Sequence, residues 1–265
     1  MTFLEKHTHR QQHTKNQLCV GIDPDLSKIP EYYHNQPNPI AYFAKDVIDA
    51  TKHIATSYKL NFAFFEQYGK FGYEALEETV ASIPKDIVTI ADAKRGDIGN
   101  TSKAYAEAVF TQLNFDAITV SPYMGKDSIE PFLAYESKAV FVLALTSNEG
   151  SFDFQRKIVD GKKLYEAVIE RCMQYEQKGT LGFVVGATHS AELASIRASV
   201  PTVPFLIPGI GAQGGDAKET MNANNGGPAF INVSRAILYP TLSYPSYKDA
   251  VRLKAEEYAS LLPII

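Results

Sequence analysis

The sequence predicts a closed (β/α)8 barrel, the TIM-barrel form of the α/β class, on three observations. Eight short apolar runs alternate with amphipathic helical stretches through a chain of 265 residues. Such alternation demands a parallel sheet, because each crossover returns the chain to the same end. Eight units in 265 residues are about 33 residues each, which suits a barrel of typically ~250 residues. A doubly wound open sheet is the rival, but it usually has fewer strands and an early glycine fingerprint. One domain is therefore expected over 1–265, with 1–17 as an N-terminal helical extension.

The strand-like runs are 18–23, 58–65, 87–93, 117–121, 139–145, 181–186, 204–207 and 229–233. They are continuous and rich in Val, Ile, Phe and Ala, as strands buried on both faces should be. Apolar residues at helical spacing fill 40–54, 72–83, 101–113, 161–177, 191–198 and 217–223, and 247–262 closes the chain. A shorter helix is expected over 126–135.

Composition narrows the function classes. Hydrophobic residues at 45% and charged residues at 21% are globular values and exclude wholesale disorder. A formal net charge of -4 argues against a broad basic face for a nucleic-acid polymer. No run approaches the ~20 apolar residues of a membrane span, and the polar first 15 residues lack a signal-peptide core. The only cysteines, Cys19 and Cys172, fit packing roles in a reducing compartment, so a cytoplasmic location is expected.

In a barrel, chemistry sits at the C-terminal ends of the strands. Those ends hold Asp23, Lys59, Asp92, Lys94, Asp97, Ser121, Ser147, Gln213 and Arg235. Asp92 and Lys94 are two apart on a strand and share the face that would line the interior. A buried Asp–Lys pair either fixes register as a salt bridge or serves a reaction. Lys59 is open to two readings, a surface charge at a strand start or a second cation for that cluster. Asp97 is a plausible helix N-cap as well as a catalytic carboxylate.

Toward the end of the chain, Gly209, Gly211, Gly214 and Gly215 follow the seventh run and lead into a helix. Glycines allow close backbone approach, and a helix N-terminus offers unpaired N–H groups to an anion. Arg235 ends the eighth run, and the loops after strands seven and eight are the recurring phosphate site of this barrel. As a dinucleotide fingerprint the glycine spacing comes too late and lacks an acidic partner. His7, His9 and His13 are read as an exposed polar helix rather than a metal site, since no Cys or carboxylate set completes one.

The run Asp92-Ala93-Lys94-Arg95-Gly96-Asp97-Ile98, with Thr101, resembles the signature of the orotidine 5'-phosphate decarboxylase family. Similarity extends through Gly21-Ile22-Asp23, the stretch 59–66, Thr146-Ser147-Asn148 and Pro208 to Gly215, and reaches Val233-Ser234-Arg235. Length and the Phe62-Ala63-Phe64-Phe65-Glu66 run are similar to the longer bacterial branch. Leu60 stands where that branch leads us to expect proline, a departure that touches only local backbone shape.

The resemblance implies decarboxylation of orotidine 5'-monophosphate to uridine 5'-monophosphate in pyrimidine biosynthesis, with no metal and no organic cofactor. It implies a homodimer with shared sites, in which Lys59, Asp92 and Lys94 of one subunit meet Asp97, Ile98 and Thr101 of the other. By the same analogy Gln213 and Arg235 would hold the 5'-phosphate, Asp23 the ribose and Ser147 the pyrimidine amide edge, with Pro208 lining the pocket. Lys94 would be the proton donor to C6, kept charged and oriented by Asp92 and Asp97. Three rivals stand beside it. A magnesium-dependent sugar-phosphate enzyme of the same superfamily would need an acidic ligand where Lys59 stands. A Schiff-base aldolase would use Lys94 or Lys59. A noncatalytic phosphate-ligand sensor would have little use for buried alternating charges.

Overall fold

Eight parallel strands close on themselves in chain order: β1 (Leu18–Ile22), β2 (Ser57–Asn61), β3 (Val88–Arg95), β4 (Ala117–Val120), β5 (Ala139–Leu145), β6 (Thr180–Val185), β7 (Phe205–Pro208) and β8 (Ala229–Val233). Closure is made by β1 on β8, where Cys19 lies opposite Asn232. These coordinates come from a computed structural model that describes residues 1–211, 214–241 and 246–264.

Side chains on a strand alternate between faces, so a closed sheet sorts its residues into two cores. Cys19, Ile90, Ala117, Phe141, Val184, Leu206 and Phe230 belong to one buried cluster, the barrel interior. Their chain neighbours Leu18, Val20, Ala91, Ile118, Val140, Val142, Phe183, Phe205 and Ile231 belong to the other, packed against the helices. Each Val, Leu, Ile or Phe among them, once buried, stabilises the fold by roughly 1.5–3 kcal/mol before entropy is counted.

The longer helices are α1 (Phe3–Thr14), α2 (Pro39–Thr51), α3 (Gly69–Ser82), α4 (Gly99–Glu107), α5 (Leu164–Cys172), α6 (Ser190–Ser199), α7 (Ala217–Asn224) and α8 (Tyr247–Leu261). Their starts follow local chemistry. Thr2 and Glu5 close a capping box on α1, Asn38 caps α2 ahead of Pro39, and Ser246 caps α8. In each case a side-chain oxygen satisfies an N–H that the helix leaves unpaired.

Four expected elements differ. The run 58–65 is a strand only to Asn61, whose Oδ1 accepts from Ala63 N at 3.3 Å and starts a helical turn, Ala63–Glu66. The stretch 161–177 forms α5 only from Leu164. Before it, Asp160 and Gly161 turn with φ of 50° and 80° to make a short ribbon of Ile158–Val159 with Lys162–Lys163. The stretch 101–113 widens into a π-turn over Ala108–Gln112. The stretch 126–135 divides into Lys126–Ser128 and Glu130–Leu133.

The N-terminal helix is not simply an exposed polar segment. His9 and His13 are exposed, but Phe3 and His7 are buried. Phe3 meets Phe141 and Phe230 with ring centroids 6.0 and 5.3 Å apart, and His7 stacks on Phe230 at 3.8 Å. Helix α1 thus seals the N-terminal end of the barrel. Among the described residues no helix is long and apolar enough to cross a membrane.

Candidate active site

At the opposite, C-terminal end of the strands, four charged side chains form an alternating chain. Asp23 follows β1, and its Oδ1 lies 3.6 Å from Lys59 Nζ. Lys59 donates to Asp92 Oδ2 at 2.9 Å, and Lys94 Nζ donates to Asp92 Oδ1 at 2.6 Å. Lys59 is a buried interior residue of β2, which removes the surface-charge reading: its side chain is 4% exposed. Alternation puts it inside because its neighbours Tyr58 and Leu60 face the helices.

The electrostatics follow from burial and pairing. Burial alone would push the Lys59 ammonium down, but the Asp23 and Asp92 carboxylates outweigh it and hold it above its ordinary value. Burial alone would raise Asp92, yet Lys59 and Lys94 outweigh that and hold its carboxyl below the usual carboxylate range. Opposite charges at such distances favour both ionised forms. Lys94 differs from its companions in access. Its side chain is 50% exposed, against 11% for Asp92 and 14% for Asp23.

Lys94 therefore stands at the mouth rather than in the interior, and strand alternation is not what brings it to Asp92. The β3–β4 register breaks between Ala91 and Arg95, and Lys94 has φ 48°. That left-handed conformation is uncommon for a residue with a Cβ, and a bulge is the usual device for re-aiming a side chain near a site.

The array opens onto a cavity of about 280 Å³, lined among others by Asn61, Ser147, Pro208, Asn232, Ser234 and Arg235. Ser234 Oγ donates to Asp23 Oδ2 at 2.6 Å, and Tyr239 donates its hydroxyl to the Asp23 carbonyl at 3.0 Å. Gly186 lets β6 approach the Ser147 loop, since a Cβ there would lie 2.8 Å from Ser147 N. The exposed Arg235 begins the short helix Arg235–Leu238 at the rim.

The anion reading of the glycine segment shifts. Asp216 caps α7, accepting from Glu219 N at 2.8 Å, so the chain's own carboxylate occupies that helix terminus. What faces the cavity is the turn itself, with Gly209 and Ile210 in its lining beside Arg235. Gln213 lies outside the described residues.

Asp23, Lys59, Asp92, Lys94, Ser147, Pro208 and Arg235 thus come together in one cavity. Asp97, Ile98 and Thr101 are absent from its lining and stand at the start of α4. Asp97 is not the N-cap. Ile98 occupies that position, and Asp97 Oδ1 accepts from the Ile98 N–H at 2.7 Å. Ile98 is 58% exposed, high for so apolar a side chain. Sequence reasoning missed Ser234, Tyr239 and Thr119, whose hydroxyl donates to Asp92 Oδ1 at 3.0 Å. The available signal was a hydroxyl inside an apolar strand, as in Ala117-Ile118-Thr119-Val120.

Among known proteins, residues 16–240 match the model of the orotidine 5'-phosphate decarboxylase / HUMPS family. An orotidine 5'-phosphate decarboxylase of Flavobacterium johnsoniae is 52% identical over 232 residues, 85% of this chain and 84% of that protein. The chain belongs to this family. Another member, from Dehalococcoides mccartyi, is 48% identical over 90% of this chain and 89% of its own. The solved OMP decarboxylase of Leishmania donovani superposes with a TM-score of 0.84 at 40% identity, covering 98% of this chain and 99% of that one. The UMP synthase of the same organism gives a TM-score of 0.86 at 41% identity, covering 98% of this chain but 56% of that longer one. Sequence and fold thus point to the same family.

Proposed function

We propose that the chain decarboxylates orotidine 5'-monophosphate to uridine 5'-monophosphate as a single-domain barrel, without a metal or organic cofactor, with Lys94 as the proton donor to C6. The observation that carries this reading is the chain Asp23–Lys59–Asp92–Lys94, in which only the last member has half its side chain open to the cavity.

The reaction breaks the bond between C6 and the carboxylate carbon, releases CO2 and leaves the electron pair on C6. That carbanion has no ordinary electron sink, so the protein must supply the stabilisation. Fixed charges do this with little reorganisation, because they are already in place when charge develops. The Lys94 ammonium faces the developing charge and gives its proton to C6, and the resulting amine is reprotonated from solvent. Asp92, held ionised by Lys59 and Lys94, keeps the Lys94 ammonium aimed. Arg235 with the Gly209 turn and Gln213 takes the 5'-phosphate, Asp23 the ribose, and Ser147 the amide edge of the ring beside Pro208. Phosphate binding remote from C6 supplies energy that can be spent at the ring.

Asp97, Ile98 and Thr101 serve the site of a second copy in a homodimer. The exposed Ile98 at the start of α4 supports this, as do Tyr123 and Met124, exposed at 91% and 47%. The magnesium-dependent rival is disfavoured by Lys59, whose ammonium already pairs with both Asp23 and Asp92. A cytoplasmic location accords with the buried free thiols of Cys19 and Cys172.

The deciding experiment follows orotidine 5'-monophosphate absorbance on adding protein in chelator-treated buffer. Loss of absorbance with release of CO2 is expected. Unchanged absorbance overturns the reading, and borohydride trapping of substrate on Lys94 would move it to imine chemistry.

A further inference from the structure

Thr119 is the third residue of β4 and is 1% exposed. Its neighbours Ile118 and Val120 belong to the outer core, so its side chain points into the barrel. Two hydrogen bonds meet at its hydroxyl. Oγ1 accepts from the backbone N–H of Lys94 at 2.9 Å and donates to Asp92 Oδ1 at 3.0 Å. The directions are fixed, because an N–H can only donate and the ionised carboxylate can only accept.

The position of these bonds is what matters. The backbone ladder between β3 and β4 lapses from Ala91 to Arg95, and within that gap a side chain takes the N–H of Lys94 in place of a ladder partner. The same hydroxyl holds the carboxylate oxygen to which Lys94 Nζ donates. One side chain thus grips the backbone of the cation and the head group of its counter-ion. A buried donor left without a partner is costly, so the bond favours the left-handed conformation that Lys94 adopts.

We propose that Thr119 is a positioning residue for the decarboxylation, setting Lys94 and Asp92 through the β3 bulge without touching substrate, a role that rests on the functional reading above. Valine keeps the shape and removes both hydrogen bonds, serine keeps both, and cysteine keeps only a weak donor and a weak acceptor. Displacing a reacting group by about 1 Å can cost on the order of 10²-fold in rate.

The test is steady-state kinetics on Thr119→Val, Thr119→Ser and Thr119→Cys, with a crystal structure of the valine protein. For Thr119→Val we expect kcat to fall roughly 10- to 100-fold with KM little changed, while Thr119→Ser restores kcat. Lys94 should leave its contact with Asp92 in the valine structure. A folded Thr119→Val protein with wild-type kcat overturns the proposal. If valine prevents folding, Thr119→Cys decides: reduced kcat at retained KM supports the role, and wild-type kcat overturns it. If the wild-type protein itself does not turn over orotidine 5'-monophosphate, the functional reading fails instead. The position of Lys94 in the valine structure then decides, and an unmoved Lys94 overturns the positioning role.

Discussion

Lys94 Nζ lies 2.6 Å from Asp92 Oδ1 although the backbone between them has left regular strand geometry. The pair is therefore held by its contacts and not by strand periodicity. Asp92 is also held by Lys59 from within the barrel, so the carboxylate keeps a cationic partner whatever happens at the mouth.

That arrangement separates chemistry from folding at Lys94. Replacing Lys94 with Ala should reduce turnover by about 10²- to 10³-fold, the range seen when a charge-stabilising donor is removed. Uridine 5'-monophosphate should still bind, because Arg235 and Ser147 are untouched. Calorimetric titration beside the absorbance assay checks both halves. Comparable turnover in the variant would remove Lys94 from its assigned role.

At Lys59 the same logic predicts a fold defect. Lys59→Met leaves the buried carboxylates of Asp23 and Asp92 without the cation between them, and breaking a buried pair typically costs roughly 3–5 kcal/mol. Asp92 is held below the usual carboxylate range, so its share of stability is present above that range and is lost as pH falls through its lowered value. The variant's Asp92, left with Lys94 as its remaining cation, protonates at higher pH than in the wild type. Urea midpoints should therefore differ most near neutrality and converge in acid. A constant difference across that range would count against the pairing.

Much of this was legible in the sequence, for a physical reason. The period of the apolar runs is dictated by burial on both strand faces, so eight parallel strands could be counted and Asp23, Lys59, Asp92 and Arg235 placed near their C-terminal ends. Local departures were not legible. The turn after Asn61 depends on one side chain bonding its own backbone, and the left-handed Lys94 depends on a Thr119 hydroxyl from the next strand. His7 carries no mark of burial in its own segment, since the partner that buries it, Phe230, lies more than 200 residues away.

The proposed sharing of the site between two copies can be tested by mixing. Lys94→Ala and Asp97→Ala proteins should each be inactive alone. Where subunits exchange, each mixed dimer rebuilds one site with both residues and one with neither. About half of the dimers should then be mixed, and activity should recover toward a quarter of the wild-type level by simple counting. No recovery, with exchange verified by mass spectrometry of differently labelled subunits, would sink the shared site.

Arg197 offers a stability prediction away from the chemistry. It is 2% exposed, and its guanidinium donates to Asn224 Oδ1 and to the carbonyls of Val200, Pro201, Val203 and Pro228. It also stacks 3.6 Å from the Phe205 ring centroid. Burial pushes the guanidinium down to about 10, so it stays charged at neutral pH. Val203 and Pro228 precede β7 and β8, which places the cluster at the barrel end remote from Lys94. Arg197→Lys cannot reproduce the planar fork, and Arg197→Met leaves buried acceptors without donors. Each should cost roughly 1–3 kcal/mol for every buried acceptor left unpaired, read by denaturant unfolding, with kcat of the folded fraction unchanged. A large drop in kcat at full folding would contradict this separation.

His7 should make the fold sensitive to mild acid. Burial pushes its imidazole down to about 4, against a hydrogen bond from Nε2 to the Ala229 carbonyl that opposes the shift. In the unfolded chain the ring titrates near 6.5, so between about 6.5 and 4 the unfolded state binds more protons than the folded one. Stability therefore rises with pH across that window and falls as the solution is acidified through it. For a fully buried ring the shift corresponds to about 3 kcal/mol at most. His7→Gln retains a donor for Ala229 and cannot protonate. Its unfolding free energy should lose this share of the pH dependence, while the wild type becomes less stable from pH 6.5 to 4. Parallel curves for the two proteins over that range would show that the ring at the base of the barrel does not control the slope.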